Sequence, residues 1–127
     1  MLKSIASILY WASNIAMSVD FYQKVGFELT ENTEQHAVLK LGDFAIELVP
    51  ARGHEQDEFS KDAFAEGKGK GVYLQIEVEK IDELYQDLIQ KGLQPSAEPR
   101  DWPWGNREFV IKDPDGYKLC FWQAIRK

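Results

Sequence analysis

The sequence predicts an α+β fold made of two copies of one pattern: a strand, a helix and about three more strands. Residues 7–27 and 73–93 align at an offset of 66, and the last strand of each copy aligns at an offset of 73. The length of 127 residues is that of one domain. We expect a single domain over 1–127, with module one at about 5–50, a linker at 51–71 and module two at about 72–123.

Module one begins with a strand, which the helix follows. Ser13 or Asn14 is expected to cap the helix, and Gly26 to end it. Residues 36–50 then alternate in hydropathy on both sides of a Gly-Asp pair, which predicts two strands joined by a tight turn.

Module two repeats this order with a clearer helix, which ends at Gly92. Residues 107–122 form two strands around an Asp-Pro-Asp-Gly turn. The polar linker is expected to be a loop with one helical turn around Asp62–Glu66. The helix has apolar residues at the i, i+3, i+4, i+7 and i+8 positions of one face, namely Ile81, Leu84, Tyr85, Leu88 and Ile89.

Alternation along the strands separates an apolar face from a mixed face. The apolar face is expected to pack against the helices, and it includes Phe44, Ile46, Leu48, Leu74, Ile76, Val78, Tyr117, Leu119 and Phe121. Exposed aromatic residues on a sheet usually mark a binding surface, so we favour a pocket or an interface on the mixed face. That face carries Trp11, Glu47, Tyr73, Gln75, Glu77, Lys118, Cys120 and Trp122.

Composition narrows the classes of partner. The formal net charge is −6, which disfavours nucleic acid and anionic membrane surfaces as partners. One cysteine cannot form an internal disulfide, which fits a reducing compartment. The apolar N-terminal run is short and has bulky residues where a signal peptidase needs small ones, so we expect a cytoplasmic protein.

Several segments resemble the vicinal oxygen chelate superfamily, which includes glyoxalase I, extradiol dioxygenases, and fosfomycin- and bleomycin-resistance proteins. They are NIAMSVDFYQKVGFEL, LGDFAIELVP, GVYLQIEVEKIDELYQDL and PWGNREFVIKDPDGYKLCFWQ. The resemblance implies paired βαβββ modules whose curved mixed sheets form a cup, with helices on the outer face. It also implies a homodimer.

Metal-dependent members of that superfamily bind a divalent cation at four sheet positions. The resemblance places these positions at Ser7, Glu47, Tyr73 and Cys120. Of the four, Glu47 is a usual ligand, and the set as a whole suits no single metal. We therefore expect no metal cofactor, as the resemblance implies for the bleomycin-resistance branch. A divalent metal held through Glu47 and unusual ligands is the alternative.

The expected function is metal-free binding of a small organic molecule, planar or cationic, in an aromatic cup. The alternatives are a metal-dependent lyase, isomerase or dioxygenase, and a dimeric fold whose cup is filled by its own side chains. His36 and His54 are expected to be solvated. The candidate ligand-binding residues are Trp11, Glu47, Tyr73, Gln75, Trp102, Trp104, Arg107 and Trp122.

Four of these candidates have competing interpretations. Glu47 is a general base with a raised pKa or an anchor for a cationic ligand, or else it is satisfied by Lys118 or Tyr73. Cys120 is a nucleophile or a small apolar residue. The Trp102–Gly105 loop is a lid, a hydrophobic plug or a dimer contact. Arg107 clamps an anion or pairs with Glu108 or Glu98.

Overall fold

The computed structural model describes residues 1–126, which form two compact units, Met1–Lys68 and a second from Gly69 onward. The first unit contains module one and a short helix, and the second contains module two. The elements of the first are β1 (Ile8–Ala12), α1 (Ile15–Val25), β2 (Glu28–Asn32), β3 (Ala37–Leu41), β4 (Phe44–Pro50) and α2 (Ser60–Ala63). Those of the second are β5 (Tyr73–Glu77), α3 (Ile81–Gln90), β6 (Arg100–Asp101), β7 (Asn106–Lys112) and β8 (Lys118–Ala124).

Each unit contains one mixed four-stranded sheet, and the two sheets have the same topology. The strand orders are β1-β4-β3-β2 and β5-β8-β7-β6, with the first pair parallel and the others antiparallel. Leu9 pairs with Glu47, and Gln75 pairs with Cys120. These pairs are related by the offsets of 66 and 73, so the register confirms the internal repeat and the α+β fold.

The helices begin and end close to where the sequence predicts. Asn14 caps α1 by accepting a hydrogen bond from the Met17 N–H, and Gly26 ends the helix with a positive φ of 126°. The helical turn of the linker is α2, which begins two residues before the predicted stretch. Within residues 1–126, no helix is long and apolar enough to cross a membrane.

One face of each sheet is buried against a helix. Ile46 and Leu48 are fully buried beneath α1, and Leu119 is fully buried beneath α3. Two residues assigned to the apolar faces are more exposed than predicted: Phe44 is 38% exposed and Ile89 is 42% exposed. Phe44 borders the hairpin turn and Ile89 lies in the last turn of α3, where each element reaches the edge of its unit.

Candidate functional site

A pocket of about 600 Å³ opens on the sheet face of module two that α3 does not cover. We call it the module-two pocket. The strands β5, β7 and β8 form its floor, because Gln75, Cys120 and Val110 lie side by side in the register. The residues before β6 and the turn after it form its wall. Its lining includes Tyr73, Gln75, Trp102, Trp104, Glu108 and Cys120.

The wall of the pocket is a stack of flat side chains. The rings of Trp102 and Trp104 are nearly parallel at 12°, with centroids 4.8 Å apart. The guanidinium of Arg100 packs on Trp102, with Cζ 3.7 Å from the ring centroid. The turn that holds both rings is closed by two backbone hydrogen bonds, from the Trp102 N–H to the Asn106 carbonyl and from the Gly105 N–H to the Trp102 carbonyl. Trp104 is 61% exposed, so it can accept a stacked ring.

Glu108 is the acidic residue at the centre of the pocket's polar contacts. The indole Nε1 of Trp104 donates to Glu108 Oε2 at 2.9 Å, and the Asn106 amide lies 3.5 Å from the same oxygen. The Cys120 thiol donates to Glu108 Oε1 at 3.5 Å. Because thiols are weak donors, Oε1 keeps capacity for a stronger hydrogen bond.

Cys120 is a buried, protonated thiol rather than a nucleophile. The side chain is 4% exposed. Burial and then the neighbouring charge of Glu108 raise the pKa of the Cys120 thiol to about 11. The thiolate is the reactive form, so this environment disfavours nucleophilic chemistry at neutral pH. The structure therefore supports the interpretation of Cys120 as a small apolar residue, which lies in the floor of the pocket.

Module one carries a different polar cluster on its sheet. The Ser7 hydroxyl donates to Glu47 Oε2, and His36 Nε2 lies 2.8 Å from Glu47 Oε1. The other ring nitrogen of His36, Nδ1, hydrogen-bonds to Glu31 Oε2. His36 thus bridges carboxylates on β2 and β4. It is half-buried and paired, which corrects the prediction that it is solvated.

This cluster sets the ionisation of its members. The hydrogen bonds from Ser7 and then His36 lower the pKa of the Glu47 carboxyl below its ordinary value, which is the opposite of what a general base near neutrality requires. The hydrogen bond to Glu47 raises the pKa of His36, against partial desolvation, and Glu31 raises it further. Lys118 and Tyr73, which the sequence suggested as partners of Glu47, contact each other within the second unit. The Lys118 ammonium lies 4.6 Å from the Tyr73 ring centroid.

Four of the predicted ligand-binding residues lie outside the lining of the module-two pocket, and Glu47, described above, is one of them. Trp11 packs edge-on against His54, with centroids 4.8 Å apart, and also contacts Phe59. His54 is half-buried, which corrects its expected solvation. Trp122 lies on β8, beside Glu108 in the register.

Arg107 is the fourth predicted residue outside the lining. Its Nε and Nη1 each lie 3.0 Å from a carboxylate, on Asp82 and Asp101 respectively. The prediction that Arg107 pairs locally is correct in kind but named the wrong acids. β7 turns Arg107 toward α3 rather than toward the pocket.

The four positions that the family resemblance assigns to a metal do not form a suitable donor set in this chain. Ser7 donates its proton to Glu47, the Cys120 thiol is protonated, and Tyr73 is a half-exposed phenol. In residues 1–126, no group of three or more His, Cys, Asp or Glu side chains is arranged to hold a metal ion. We therefore derive no chemistry through a metal here.

Two residues of these polar clusters, His36 and Glu108, were not predicted as ligand-binding residues from the sequence. The two correspond in the repeat: Glu108 lies on β7, and His36 lies 72 residues earlier, directly before β3. Each contacts the neighbouring family metal position, Glu47 or Cys120. The sequence signal that could have found them is the offset of 72 residues between β3 and β7, which relates His36 in module one to Glu108 in module two.

Comparison with known proteins agrees with this architecture. The model of the glyoxalase/bleomycin resistance protein/dioxygenase superfamily matches residues 4–121. A bleomycin resistance protein of Geobacillus stearothermophilus is 33% identical over 136 residues, covering 99% of both chains.

Solved structures share the fold at lower identity. A glyoxalase/bleomycin resistance protein/dioxygenase from Nocardioides superposes with a TM-score of 0.81 at 20% identity, covering 99% of this chain and 87% of that one. A bleomycin resistance determinant encoded on the transposon Tn5 gives a TM-score of 0.70 at 17% identity, covering 96% and 98%. The chain belongs to the glyoxalase/bleomycin resistance protein/dioxygenase superfamily and has the vicinal oxygen chelate fold.

Proposed function

We propose that this protein binds a small organic molecule in the module-two pocket, as a metal-free member of the bleomycin-resistance type. The observation that carries the proposal is the pocket itself. Its volume of about 600 Å³ lies within the range of small-molecule sites. Its wall offers a half-open Trp stack for planar rings, and its floor offers a few polar groups that orient a ligand.

Two further observations support a binding role over catalysis through a metal. The residues at the family metal positions are poor ligands, and the Glu47 carboxylate is already held by Ser7 and His36. The relatives that match over the whole chain at 33% identity are named bleomycin resistance proteins. The open pocket also disfavours a fold whose cup is filled by its own side chains.

Ligand titration tests the proposal. Bleomycin and a panel of planar aromatic dyes are titrated into EDTA-treated protein, with calorimetry and Trp fluorescence as readouts. We expect saturable binding without added metal. Trp104→Ala should weaken it about fivefold or more, since a stacked ring contributes about 1–3 kcal/mol. Phe64→Ala, which removes an exposed aromatic side chain from the linker in the first unit, is the matched control.

Two outcomes would contradict the proposal. One is the absence of binding by bleomycin and by every dye of the panel. The other is a divalent ion that stays bound in stoichiometric amount after metal supplementation and dialysis, and that binding requires. The second outcome would favour the metal-dependent lyase, isomerase or dioxygenase instead.

We also propose that two copies of the chain associate. Large apolar side chains are exposed on module one, including Leu9, Met17 and Phe44, and such surfaces commonly mark partner contacts. Sedimentation equilibrium should give twice the chain mass at micromolar concentration, and the mass of a single chain at all concentrations would refute this.

The single free cysteine is compatible with the cytoplasmic setting, which stays a prediction.

A further inference from the structure

The acid of the module-two pocket is the strongest unexplained feature of the molecule. Glu108 is half-buried, and Asn106 and Trp104 donate to one of its two oxygens. Within the described chain, the donor recorded on Oε1 is the Cys120 thiol at 3.5 Å. A partly desolvated carboxylate with a weak donor on one oxygen gains free energy from a stronger, charged donor.

The contact with Trp104 fixes where such a donor would come from. An indole N–H points outward in the plane of its ring, so the carboxylate lies at the edge of Trp104, 2.9 Å from Nε1. A planar ligand stacked on Trp104 therefore presents its own edge to Glu108. A protonated nitrogen at that edge would lie next to the carboxylate, in the layer stacked above it.

The other charges that line the pocket are placed differently. Arg100 is held flat on Trp102, with Cζ 3.7 Å from the ring centroid, so its charge lies on the neighbouring ring of the stack. Glu98 is exposed at the rim, where water screens its charge. Lys118 is outside the lining and lies over Tyr73, which is part of it. Of these groups, Glu108 is the one hydrogen-bonded to the exposed ring.

We infer that Glu108 is the specificity-determining residue of the pocket and selects planar ligands that carry a protonated nitrogen over neutral ligands of the same shape. This inference rests on the proposed function. It also assigns the recognition of charge to module two, whereas the sequence pointed to Glu47 in module one. Each of these two acids lies on the open face of its own sheet, Glu47 on β4 and Glu108 on β7, so the two do not occupy equivalent positions of the repeat.

Two dyes of matched shape test the inference: 9-aminoacridine, which is a cation at pH 7, and acridone, which is neutral. Affinities are measured by dye fluorescence for the wild type, Glu108→Gln and Glu77→Gln. Glutamine can still accept the hydrogen bond from the Trp104 indole, so the substitution removes the charge and keeps an acceptor. Glu77 lies on the same sheet face but outside the pocket lining, which makes it the matched control.

We expect the wild type to bind 9-aminoacridine at least tenfold more tightly than acridone. Glu108→Gln should weaken 9-aminoacridine about tenfold and change acridone by less than twofold, and Glu77→Gln should change neither by more than twofold. If Glu108→Gln does not fold, the wild type provides the test, because its preference for the cation should fall as NaCl is raised.

The possible failures are distinguishable. If Glu108→Gln weakens both dyes equally, Glu108 acts by positioning Trp104 and the inference is wrong. If the wild type binds the two dyes with equal affinity, the inference is wrong while the proposed function stands. If it binds neither of these two dyes, nor bleomycin, nor any dye of the panel, both are wrong.

Discussion

His36 is expected to stabilise module one while its ring is protonated, and His36→Gln tests this. The ring bridges Glu31 and Glu47, so its charge is paired on both sides. The substitution removes the charge and keeps a hydrogen-bonding side chain. Its cost should therefore depend on pH, which the cost of a lost packing contact would not.

The direction follows from the two pKa shifts. The pKa of His36 is raised above 6.5, so its contribution is fully present below pH 6.5 and is lost as the pH rises through the higher folded-state value. The pKa of Glu47 is lowered below 4.5, so its contribution is present above pH 4.5 and is lost as the pH falls through the lower folded-state value. The pair therefore contributes most to stability between pH 4.5 and pH 6.5.

The magnitude follows from exposure. Both side chains of the pair are 33% exposed, so water screens the charges and the contribution is about 1 kcal/mol rather than the several expected for a fully buried pair. For a chain of this length, about 1 kcal/mol corresponds to a Tm change of roughly 4 °C.

Urea denaturation of the wild type and of His36→Gln at pH 5.5 and pH 9 measures this. The wild type should be more stable by about 1 kcal/mol at pH 5.5, and the difference should shrink at pH 9 and in high salt. Equal differences at the two pH values would show that His36 acts through packing, and the reasoning from its charge would be refuted.

Three other substitutions or reactions are expected to have defined outcomes. Gly69→Ala should lower the free energy of unfolding by about 2 kcal/mol or more in urea denaturation, because the new Cβ would lie 2.8 Å from the Tyr117 Cα and Gly69 has φ +75°. Gly42→Ala should lower it by about 1 kcal/mol, because Gly42 has φ +59° but open space around it. Equal costs would contradict this reasoning. Asn14→Ala should cost about 1 kcal/mol through the lost cap, measured the same way, and no loss would argue against the cap. Iodoacetamide at pH 7 should alkylate Cys120 about a hundredfold more slowly than a thiol with a pKa of 9.0, and a rate equal to that of such a thiol would refute the raised pKa.

Much of the fold is readable from the sequence because its signals are local or repeated. The caps at Asn14 and Gly26, the face of α3 and the Gly-Asp turn each depend on a few neighbouring residues. The repeat added the long-range information, since it related β1 to β5 and β4 to β8. Exposure at the ends of elements, as at Phe44, depends on where each unit stops and was not predictable from alternation.

The site was harder to predict because its contacts join residues that are distant in sequence. His36 looks like a turn residue until β3 pairs with β4 and brings its ring to Glu47. Glu108 follows Arg107 in an apparently charged surface pair, yet β7 directs the two side chains to opposite faces of the sheet. Residue type and spacing suggested acids, whereas strand register decided which acid lines the pocket.

The most direct test of the central claim is amide chemical-shift mapping of the ¹⁵N-labelled, EDTA-treated protein during titration with bleomycin. The account predicts saturable shifts that cluster at the backbone of the module-two pocket, around Trp102, Trp104, Glu108 and Cys120. Shifts centred on Ser7, His36 and Glu47, or shifts that appear only after a divalent metal is added, would contradict this account.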